Sequence, residues 1–435
     1  MNRHILVLAS LCLSLPCWSA DLPSSSELKQ QVNATYPQIE SLYKDLHEHP
    51  ELSLHETQTA AKLAAALRQL GYEVTTGVGG TGVVALMKNG SGRTIMLRTE
   101  LDALPVEEKT GWPFASHVHT KDDSGADVSV MHACGHDIHM AALVGTAKIM
   151  AEDRSSWHGT LMLIGQPSEE RGMGAKAMLN DGLFTRFPKP EFAFALHDGN
   201  GLPAGKLGFT PGYSLTSADS VNITIHGKGG HGAMPQSTID PIVIAARTVL
   251  ALQTIVSREI SPQDPAVVTV GSIHGGTKNN IIPDEVKLQL TVRAYKPEVR
   301  KHILDAIARI AKAESEAANA PQPPDIQIVD STPSEYNDPQ LTERIAGVLR
   351  QQFGNDNVTQ GQGGTASDDF SEFGRAGVPE AMLSLGAADP VKWEQAKKTG
   401  VPLPSNHSPF FAPDYDPTLH AAMLAEVSTL LNLLQ

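Results

Sequence analysis

Cysteine is scarce in this sequence, which has three among 435 residues. Cys12 and Cys17 lie in an N-terminal segment that we expect to be removed, so the mature chain would keep only Cys134. A single thiol excludes an internal disulfide. A lone cysteine in an oxidising compartment is usually avoided or given a task, and metal ligation is one such task. Cys134 is therefore a candidate metal ligand.

Basic residues are also in short supply. The 34 Lys and Arg residues are outnumbered by 48 Asp and Glu residues, which gives a formal net charge of −14. The sequence has no basic stripe that could follow a phosphate backbone. We therefore expect no nucleic-acid partner.

The apolar run at the N-terminus is short. Arg3 and His4 precede an apolar stretch over residues 5–15, and the small residues Ser19 and Ala20 follow after Pro16, Cys17 and Trp18. A basic head, a short apolar core and a small-residue exit are typical of a secretory signal peptide. A membrane anchor is the alternative, but the run is too short to span a bilayer. We expect residues 1–19 to be a signal peptide, the protein to be periplasmic or secreted, and the mature chain to have no membrane contact.

The rest of the chain alternates short apolar runs with helical patterns. The runs that predict buried strands are Val83–Met87, Thr94–Leu97, Thr160–Ile164, Phe192–Leu196 and Ala381–Leu385. Among the patterns that predict helices are Ser26–His47, Glu56–Leu70, His139–Ala151, Leu341–Phe353 and Pro417–Leu434. This alternation is typical of an α/β domain with a mostly parallel sheet.

The pattern changes between residues 213 and 331. Strand-like and helical segments follow one another there in the order β-α-β-β-α-β, which predicts a ferredoxin-like two-layer α+β module. Because this stretch interrupts the α/β sequence, we expect an inserted domain at 213–331. The catalytic domain would then consist of residues 26–212 and 332–435, and two domains are also the default for a chain of this length.

The strongest chemical signal is His132-Ala-Cys134-Gly-His136-Asp137. A thiolate and an imidazole two residues apart, on a turn that contains glycine, can both face one ion. Borderline transition metals prefer these two ligands. A buried structural cysteine beside unrelated histidines is the alternative explanation.

Further candidate site residues follow the predicted strands. They are Arg98, Glu100 and Asp102 after the second strand, Glu169 and Glu170 after the third, and His197 after the fourth, with His407 on a loop before the last helix. In open α/β sheets the ligand site lies beyond the carboxyl ends of the strands, so we expect these groups to converge. Glu169 and Glu170 are adjacent and cannot do the same job, so one would bind metal while the other takes a proton from a metal-activated water. A solvated surface pair is the alternative.

Taken in order, five segments resemble one family. They are the segment at 132–137, the Glu169-Glu170 pair after a strand, Gly227–Pro235, Gly275–Pro283 and His407-Ser-Pro409. The sequence resembles the M20 peptidase family, and in particular its amidohydrolase branch of hippurate hydrolases, N-acyl-amino-acid amidohydrolases and plant auxin-conjugate hydrolases.

The resemblance implies a site with two divalent metal ions. The matching ligand positions are Cys134, His136, Glu170, His197 and His407, with the thiolate shared. Glu169 matches the general base, and Asp102 matches the acid that orients the site. The resemblance further implies that the insert is a lid or dimerisation domain and that the protein is a homodimer. His231 would help polarise the scissile carbonyl, often from the partner subunit, while Asn280 and Arg293 would lie near the substrate carboxylate.

Several residues keep a plainer alternative or depart from the family pattern. His231 is otherwise a loop histidine, and Arg293 is otherwise the partner of a surface acid. Glu100 stands where the branch more often has Asp, and Asp368 where Glu is common. These departures affect metal preference and the substrate pocket. Zinc or manganese is expected, with cobalt or nickel as alternatives.

These observations predict an exported metal-dependent hydrolase that cleaves the amide bond of N-acyl amino acids. The first alternative is a metallo-carboxypeptidase or dipeptidase that acts on unblocked small peptides, which would need a group to meet a free amine. The second is a binding protein without catalytic activity that captures a solute in the same cleft.

Overall fold

The computed structural model describes residues 23–435, so the predicted signal peptide lies outside the described residues. The strands of this range are β1 (Glu73–Val78), β2 (Gly82–Asn89), β3 (Thr94–Glu100), β4 (His119–Lys121), β5 (Asp127–Ser129), β6 (Gly159–Gln166), β7 (Phe192–Pro203), β8 (Leu207–Phe209), β9 (Gly212–Leu215), β10 (Ser217–His226), β11 (Gly230–His231), β12 (Ala266–His274), β13 (Ile281–Ile282), β14 (Glu285–Ala294), β15 (Asp325–Thr332), β16 (Glu335–Asn337), β17 (Val358–Gln360) and β18 (Glu380–Ala388). The helices are α1 (Ser25–Glu48), α2 (Thr57–Gln69), α3 (His136–Glu152), α4 (Gly174–Asn180), α5 (Leu183–Arg186), α6 (Pro241–Thr254), α7 (Pro297–Ala317), α8 (Pro339–Phe353), α9 (Ser371–Arg375), α10 (Pro390–Thr399) and α11 (Tyr415–Leu433).

The larger sheet has eight strands in the order β1-β2-β6-β3-β7-β18-β8-β17. Its four central strands β6, β3, β7 and β18 run parallel. Towards the edges, the β1–β2, β2–β6 and β18–β8 pairs are antiparallel. The predicted α/β class is confirmed, and the parallel part of the sheet is its centre. The antiparallel pairs were not evident from the sequence, because a short apolar run does not reveal the direction of its strand.

Helices cover both faces of this sheet. On one face, α1, α2, α3, α8 and α11 pack with Leu97 and Leu163 in the main hydrophobic core. On the other face, α4, α5 and α9 pack with Met96 and Ile164 in a smaller core. Successive residues of a strand point to opposite faces, so both faces of the central strands are buried. This explains why these strands read as unbroken apolar runs.

Three helices begin at an Asp-Pro pair. Asp240, Asp338 and Asp389 each accept a hydrogen bond from a backbone N–H in the first turn of the helix that follows. Proline at the first helical position needs no hydrogen bond there and already has a helical φ. The same dipeptide therefore starts α6, α8 and α10.

Residues 217–332 form a second, separate sheet with its own core. The strand order is β12-β14-β10-β15 with antiparallel neighbours, and α6 and α7 pack on one side. We call this module the lid. The chain enters it after β9 and returns through β16, and these two strands pair with each other, with Leu215 opposite Glu335.

Candidate metal centre

The carboxyl ends of the central strands bring polar side chains to one edge of the sheet. Asp102 follows β3, Glu169 and Glu170 follow β6, and His197 lies in β7. Because β6, β3 and β7 are parallel neighbours, these ends are adjacent. The expected convergence of strand-end groups is therefore seen in the structure.

The first turn of α3 brings the thiol and an imidazole to the same edge. Gly135 precedes α3 with φ 82°, in the left-handed region where glycine is favoured. A Cβ at this position would lie 2.1 Å from Asp198 Oδ1, so the turn also needs glycine for space. This close approach holds Cys134 and His136 beside β7.

Two histidines bind a backbone carbonyl through Nδ1, which turns Nε2 towards the centre. His136 donates its Nδ1–H to the Asp102 carbonyl at 2.8 Å, and His197 donates its Nδ1–H to the Asp198 carbonyl at 2.9 Å. The Nε2 of His136 is buried without a hydrogen-bond partner. A backbone acceptor on one nitrogen fixes the tautomer that leaves the other free to bind metal.

Five residues form overlapping donor sets. The sets Cys134–His136–His197 and Cys134–Glu170–His407 each have their ligand atoms within 4.8 Å of one another, and Cys134 belongs to both. The Cys134 Sγ lies 3.6 Å from His197 Nε2, and His407 Nε2 lies 3.4 Å from Glu170 Oε2. Two sets that meet at one sulfur suit two ions that share a thiolate.

The electrostatics of the centre also fit bound cations. Burial lowers the pKa of His197 and of His407 below the usual range, which keeps both imidazoles neutral. Burial, together with the charges of Glu170 and Glu169, raises the pKa of the Cys134 thiol well above its usual range. A thiolate at this position therefore needs a cation next to it.

Glu169 is buried beside the two sets that share Cys134, and it forms a further donor set with His136 and Glu170. Its Oε2 is 3.8 Å from His136 Nε2, and its side chain is 8% exposed. Burial, followed by the charges of Asp368 and Glu170, raises its pKa well above the usual range. A carboxyl group with a raised pKa is suited to take up a proton during a reaction.

A buried cation organises the carboxylates behind Glu169. The Arg98 guanidinium donates to Asp368 Oδ1 at 2.8 Å and to Gln166 Oε1 at 3.0 Å, and it also binds Glu100. Glu100 in turn accepts a hydrogen bond from His139 Nδ1 at 2.9 Å. Glu100 and Asp368 both bind the Arg98 guanidinium. The two residues that depart from the family pattern therefore both belong to this network.

Two ligand-bearing loops contain strained backbone. Ser168, directly before Glu169, has φ 52°, and His407 has φ 69°. Residues other than glycine seldom adopt this conformation and need support to hold it. Glu56 accepts hydrogen bonds from the Ser168 N–H and hydroxyl, and His407 N–H donates to the Ala133 carbonyl at 2.8 Å.

The lid contributes one wall of the cavity over the metal centre. The cavity has a volume of about 700 Å³, and Arg293 from β14 lines it together with Cys134, Glu169 and His407. The Arg293 guanidinium lies 3.4 Å from Ser367 Oγ. Of the predicted substrate-binding residues, Arg293 therefore lines the cavity of its own subunit.

His231 and Asn280 lie together elsewhere on the lid. His231 pairs with Ile281 between β11 and β13, and Gly232 N–H donates to the Asn280 carbonyl at 2.9 Å. Both residues are exposed, and neither lines the cavity over the metal centre in the described chain. Their predicted roles at the substrate stay predictions.

Sequence reasoning missed two residues that contact the centre. Asn406 Nδ2 donates to the carbonyl groups of Cys134 and Asp198, each at 3.2 Å, and lies 3.8 Å from the Cys134 sulfur. Asp198 is buried 3.2 Å from His139 Nε2. Their only sequence signal was that each adjoins a candidate ligand, His407 or His197.

Known proteins with similar sequences cover most of this chain. The model of peptidase family M20/M25/M40 matches residues 96–398. Thermostable carboxypeptidase 1 of Saccharolobus solfataricus is 34% identical over 395 residues, 90% of this chain and 94% of that protein. Hippurate hydrolase of Campylobacter jejuni is 37% identical over 341 residues, 77% of this chain and 85% of that protein.

A solved structure extends the likeness to the fold. A dinuclear metal-binding peptidase of the M20 family from Bacillus subtilis superimposes with a TM-score of 0.73 at 28% identity. The match covers 91% of this chain and 98% of that protein. The likeness in fold therefore extends over most of the chain.

Proposed function

The chain belongs to the M20/M25/M40 peptidase family, and from that premise we propose that its metal centre hydrolyses the amide bond of N-acyl amino acids. A metal-dependent hydrolase of amide bonds with two divalent ions is what the family and its dinuclear member support. The observation that carries the substrate proposal is the pair of donor sets that meet at Cys134, with Glu169 beside them and Arg293 across the cavity.

The residues of this chain suit two ions of borderline character. Cys134, His136, Glu170, His197 and His407 would hold them, and Asp102 would orient His136 through its backbone carbonyl. We propose zinc or manganese, with cobalt or nickel as alternatives, because the set mixes thiolate, imidazole and carboxylate. When bound, such ions lower the pKa of water and polarise a carbonyl oxygen.

The protein side chains would move the proton and hold the substrate. Glu169 takes a proton from the attacking water and delivers it to the leaving amine, which its raised pKa favours. Arg293 binds the carboxylate of the amino-acid half, because a guanidinium can donate two parallel hydrogen bonds to it. Asn280 supports that carboxylate, and His231 polarises the scissile carbonyl.

We also propose a homodimer formed through the lid. The segment Pro241–Glu259 is apolar and long enough to cross a membrane by length and composition alone, yet its most apolar window is only 33% buried. Val243 and Leu250 of α6 are 56% and 72% exposed. An exposed apolar face of this kind is typical of a protein–protein interface, and a partner subunit could bring His231 and Asn280 to the metal centre.

Export is a further proposal, and it depends on sequence alone. Its support is the basic head, apolar core and small-residue exit over residues 1–20. We propose that the mature protein is periplasmic or secreted. Fractionation of cells that produce the full chain, followed by sequencing of the mature N-terminus, tests this; cytoplasmic protein that keeps residues 1–19 would contradict it.

The substrate proposal is tested with a matched pair of substrates. We expect the metal-loaded mature protein to release alanine faster from N-benzoyl-alanine than from phenylalanyl-alanine, and to lose both activities when a chelator removes the metal. The alternative of a carboxypeptidase or dipeptidase, which the name of the Saccharolobus relative supports, requires the reverse preference. No turnover at full metal occupancy would favour a binding protein.

A further inference from the structure

A second cavity opens off the metal centre. It has a volume of about 380 Å³ and shares His197, Asp198, Ser367 and Asp368 with the cavity over the donor sets. Its other walls come from the end of β7, from β8 and β9, from the middle of β18 and from residues 359–366. We call it the side pocket. A group bound next to His197 could extend directly into it.

The floor of the side pocket is a row of residues that become smaller away from the metal centre. Ser384 of β18 is in register with His197 of β7 on one side and with Gly208 of β8 on the other. Residues in register on neighbouring strands share a face of the sheet and lie about 5 Å apart. Ser384 is exposed although Leu383 and Leu385 on either side of it are buried. The row therefore forms a groove with open space above Ser384 that ends at Gly208, where the Leu202 side chain lies close by.

The remaining walls of the side pocket combine apolar side chains, among them Leu202, Leu215 and Met382, with uncharged polar residues, which are Thr210, Ser214, Thr359 and Gln362. The only charged side chains among its described lining residues are those shared with the metal centre. Of these, Asp368 binds Arg98 and Asp198 faces His139. Both side chains are at most 3% exposed, so neither carboxylate is accessible to the ammonium group of an unblocked peptide.

We propose that the side pocket receives the acyl group of the substrate and that Ser384 and Gly208 set its depth. The inference rests on the proposed function, since it assumes an N-acyl amino acid whose carboxylate faces Arg293. It narrows the substrate class to amino acids that carry a bulky apolar acyl group, aromatic or branched, because desolvation of such a group by the apolar walls favours binding.

The depth of the pocket depends on two small residues. A Cβ at Gly208 would lie 3.1 Å from Leu202 Cδ1 and 3.3 Å from the Cβ of Ser384. Even alanine at position 208 would therefore narrow the end of the groove. Leucine at position 384 would fill the space beside His197, where the acyl group would enter.

The test compares two substrates that differ only in acyl size. We measure kcat/KM for N-benzoyl-alanine and N-acetyl-alanine with the metal-loaded wild type, Ser384→Leu and Gly208→Ala. Ser91→Leu, the same change at an exposed site between β2 and β3, is the matched control. We expect the benzoyl-to-acetyl ratio to fall at least about tenfold in Ser384→Leu, less in Gly208→Ala, and not in the control, because a pocket rejects groups that it cannot hold.

The outcomes separate this inference from the function on which it rests. A ratio unchanged in both pocket variants, or equal losses on both substrates, would overturn the acyl assignment while leaving amide hydrolysis intact. If thermal melting shows that Ser384→Leu does not fold, the benzoyl-to-acetyl ratio of Gly208→Ala alone tests the acyl assignment. A wild type that cleaves neither substrate would overturn the proposed function and this inference with it.

Discussion

Arg98 binds carboxylates from distant parts of the chain around one buried guanidinium. Its partner Asp368 is 270 residues away in sequence, and the charge of Asp368 is the largest influence after burial on the raised pKa of Glu169. Removing one member of a buried charged network leaves the others unpaired, which costs more than the loss of a surface ion pair. Burial and the charge of Asp368 therefore raise the proton affinity of Glu169.

Glu169→Gln tests the predicted base. Glutamine keeps the size and the hydrogen-bonding oxygen but cannot take up a proton, so we expect kcat for N-benzoyl-alanine to fall at least about a hundredfold. Metal content and melting temperature should stay close to those of the wild type, because the five proposed ligands remain. Steady-state kinetics together with elemental analysis measure both effects.

The control for this variant is Glu394→Gln, the same change on the exposed surface of α10. It should leave both kcat and metal content as they are. Activity that persists in Glu169→Gln would exclude this residue as the base, and loss of metal would make it a ligand instead.

At the scale of elements, β16 and β18 bring two acids together in the interior. Glu335 and Glu380 are both at most 2% exposed, and neither carboxylate oxygen of Glu335 has a hydrogen-bond partner among the described residues. Burial, followed by the charges of Asp368 and Asp369, outweighs Arg98 and raises the pKa of Glu335 from 4.5 to about 8. Burial and the charge of Glu335 raise the pKa of Glu380 well above its usual range.

These raised pKa values predict that the protein loses stability as the pH rises. The folded state holds a proton on Glu335 that the unfolded chain releases above a pH of about 4.5, so stability is full below that value and declines as the pH approaches 8. A pKa difference of one is worth about 1.4 kcal/mol. We expect Glu335→Gln, which cannot ionise, to reduce this decline.

Urea unfolding of the chelated protein at pH 5, 6.5 and 8 measures the free energy of unfolding without a contribution from metal binding. Between pH 5 and pH 8, the free energy of unfolding should fall less in Glu335→Gln than in the wild type. In the surface variant Glu394→Gln, it should change with pH as it does in the wild type. The raised pKa of Glu335 would be contradicted if the free energy of unfolding of the wild type rose over this range. It would also be contradicted if Glu335→Gln showed the same pH dependence as the wild type.

At the scale of the whole molecule, the lid is connected to the catalytic domain through β9 and β16 and lines one side of the cavity. It brings Arg293 to that cavity, whereas His231 and Asn280 stay exposed elsewhere. If those two residues act at a metal centre, as we propose, that centre belongs to the partner subunit. The active unit would then be a dimer with two composite sites.

Mixing two inactive variants tests the composite site. His231→Ala and Glu169→Gln subunits should each have low activity alone. When they are unfolded together and refolded, mixed dimers should regain up to about one intact site in two, since one site would combine a native Glu169 with a native His231 from the other chain. The measurement is the rate of N-benzoyl-alanine hydrolysis against the proportion of the two variants.

Refolding each variant by itself is the control for this experiment. Activity that does not rise in the mixture, although a mixed dimer is isolated through different tags, would mean that His231 acts within its own subunit or not at all. A monomer at micromolar concentration would contradict the dimer proposal directly.

Much of the fold was predictable because each element carries its own local signal. The apolar runs at residues 94–97 and 160–164 correspond to β3 and β6, and the helical pattern at 341–353 corresponds to α8. The predicted α/β class and the resemblance to the M20 amidohydrolase branch are confirmed. Local periodicity reports burial and element type, but not the direction in which a strand runs.

The sequence by itself determined the element types, the family and a set of candidate ligands, since these depend on residue identity and short spacing. Only the tertiary structure decided that the candidate ligands converge and that Asn406 and Asp198 contact the Cys134 turn. It also decided that Ser384 lies next to His197 and that His231 does not line its own subunit's cavity. These facts are contacts between residues far apart in the chain, and strand register and domain packing create them only when the whole core forms.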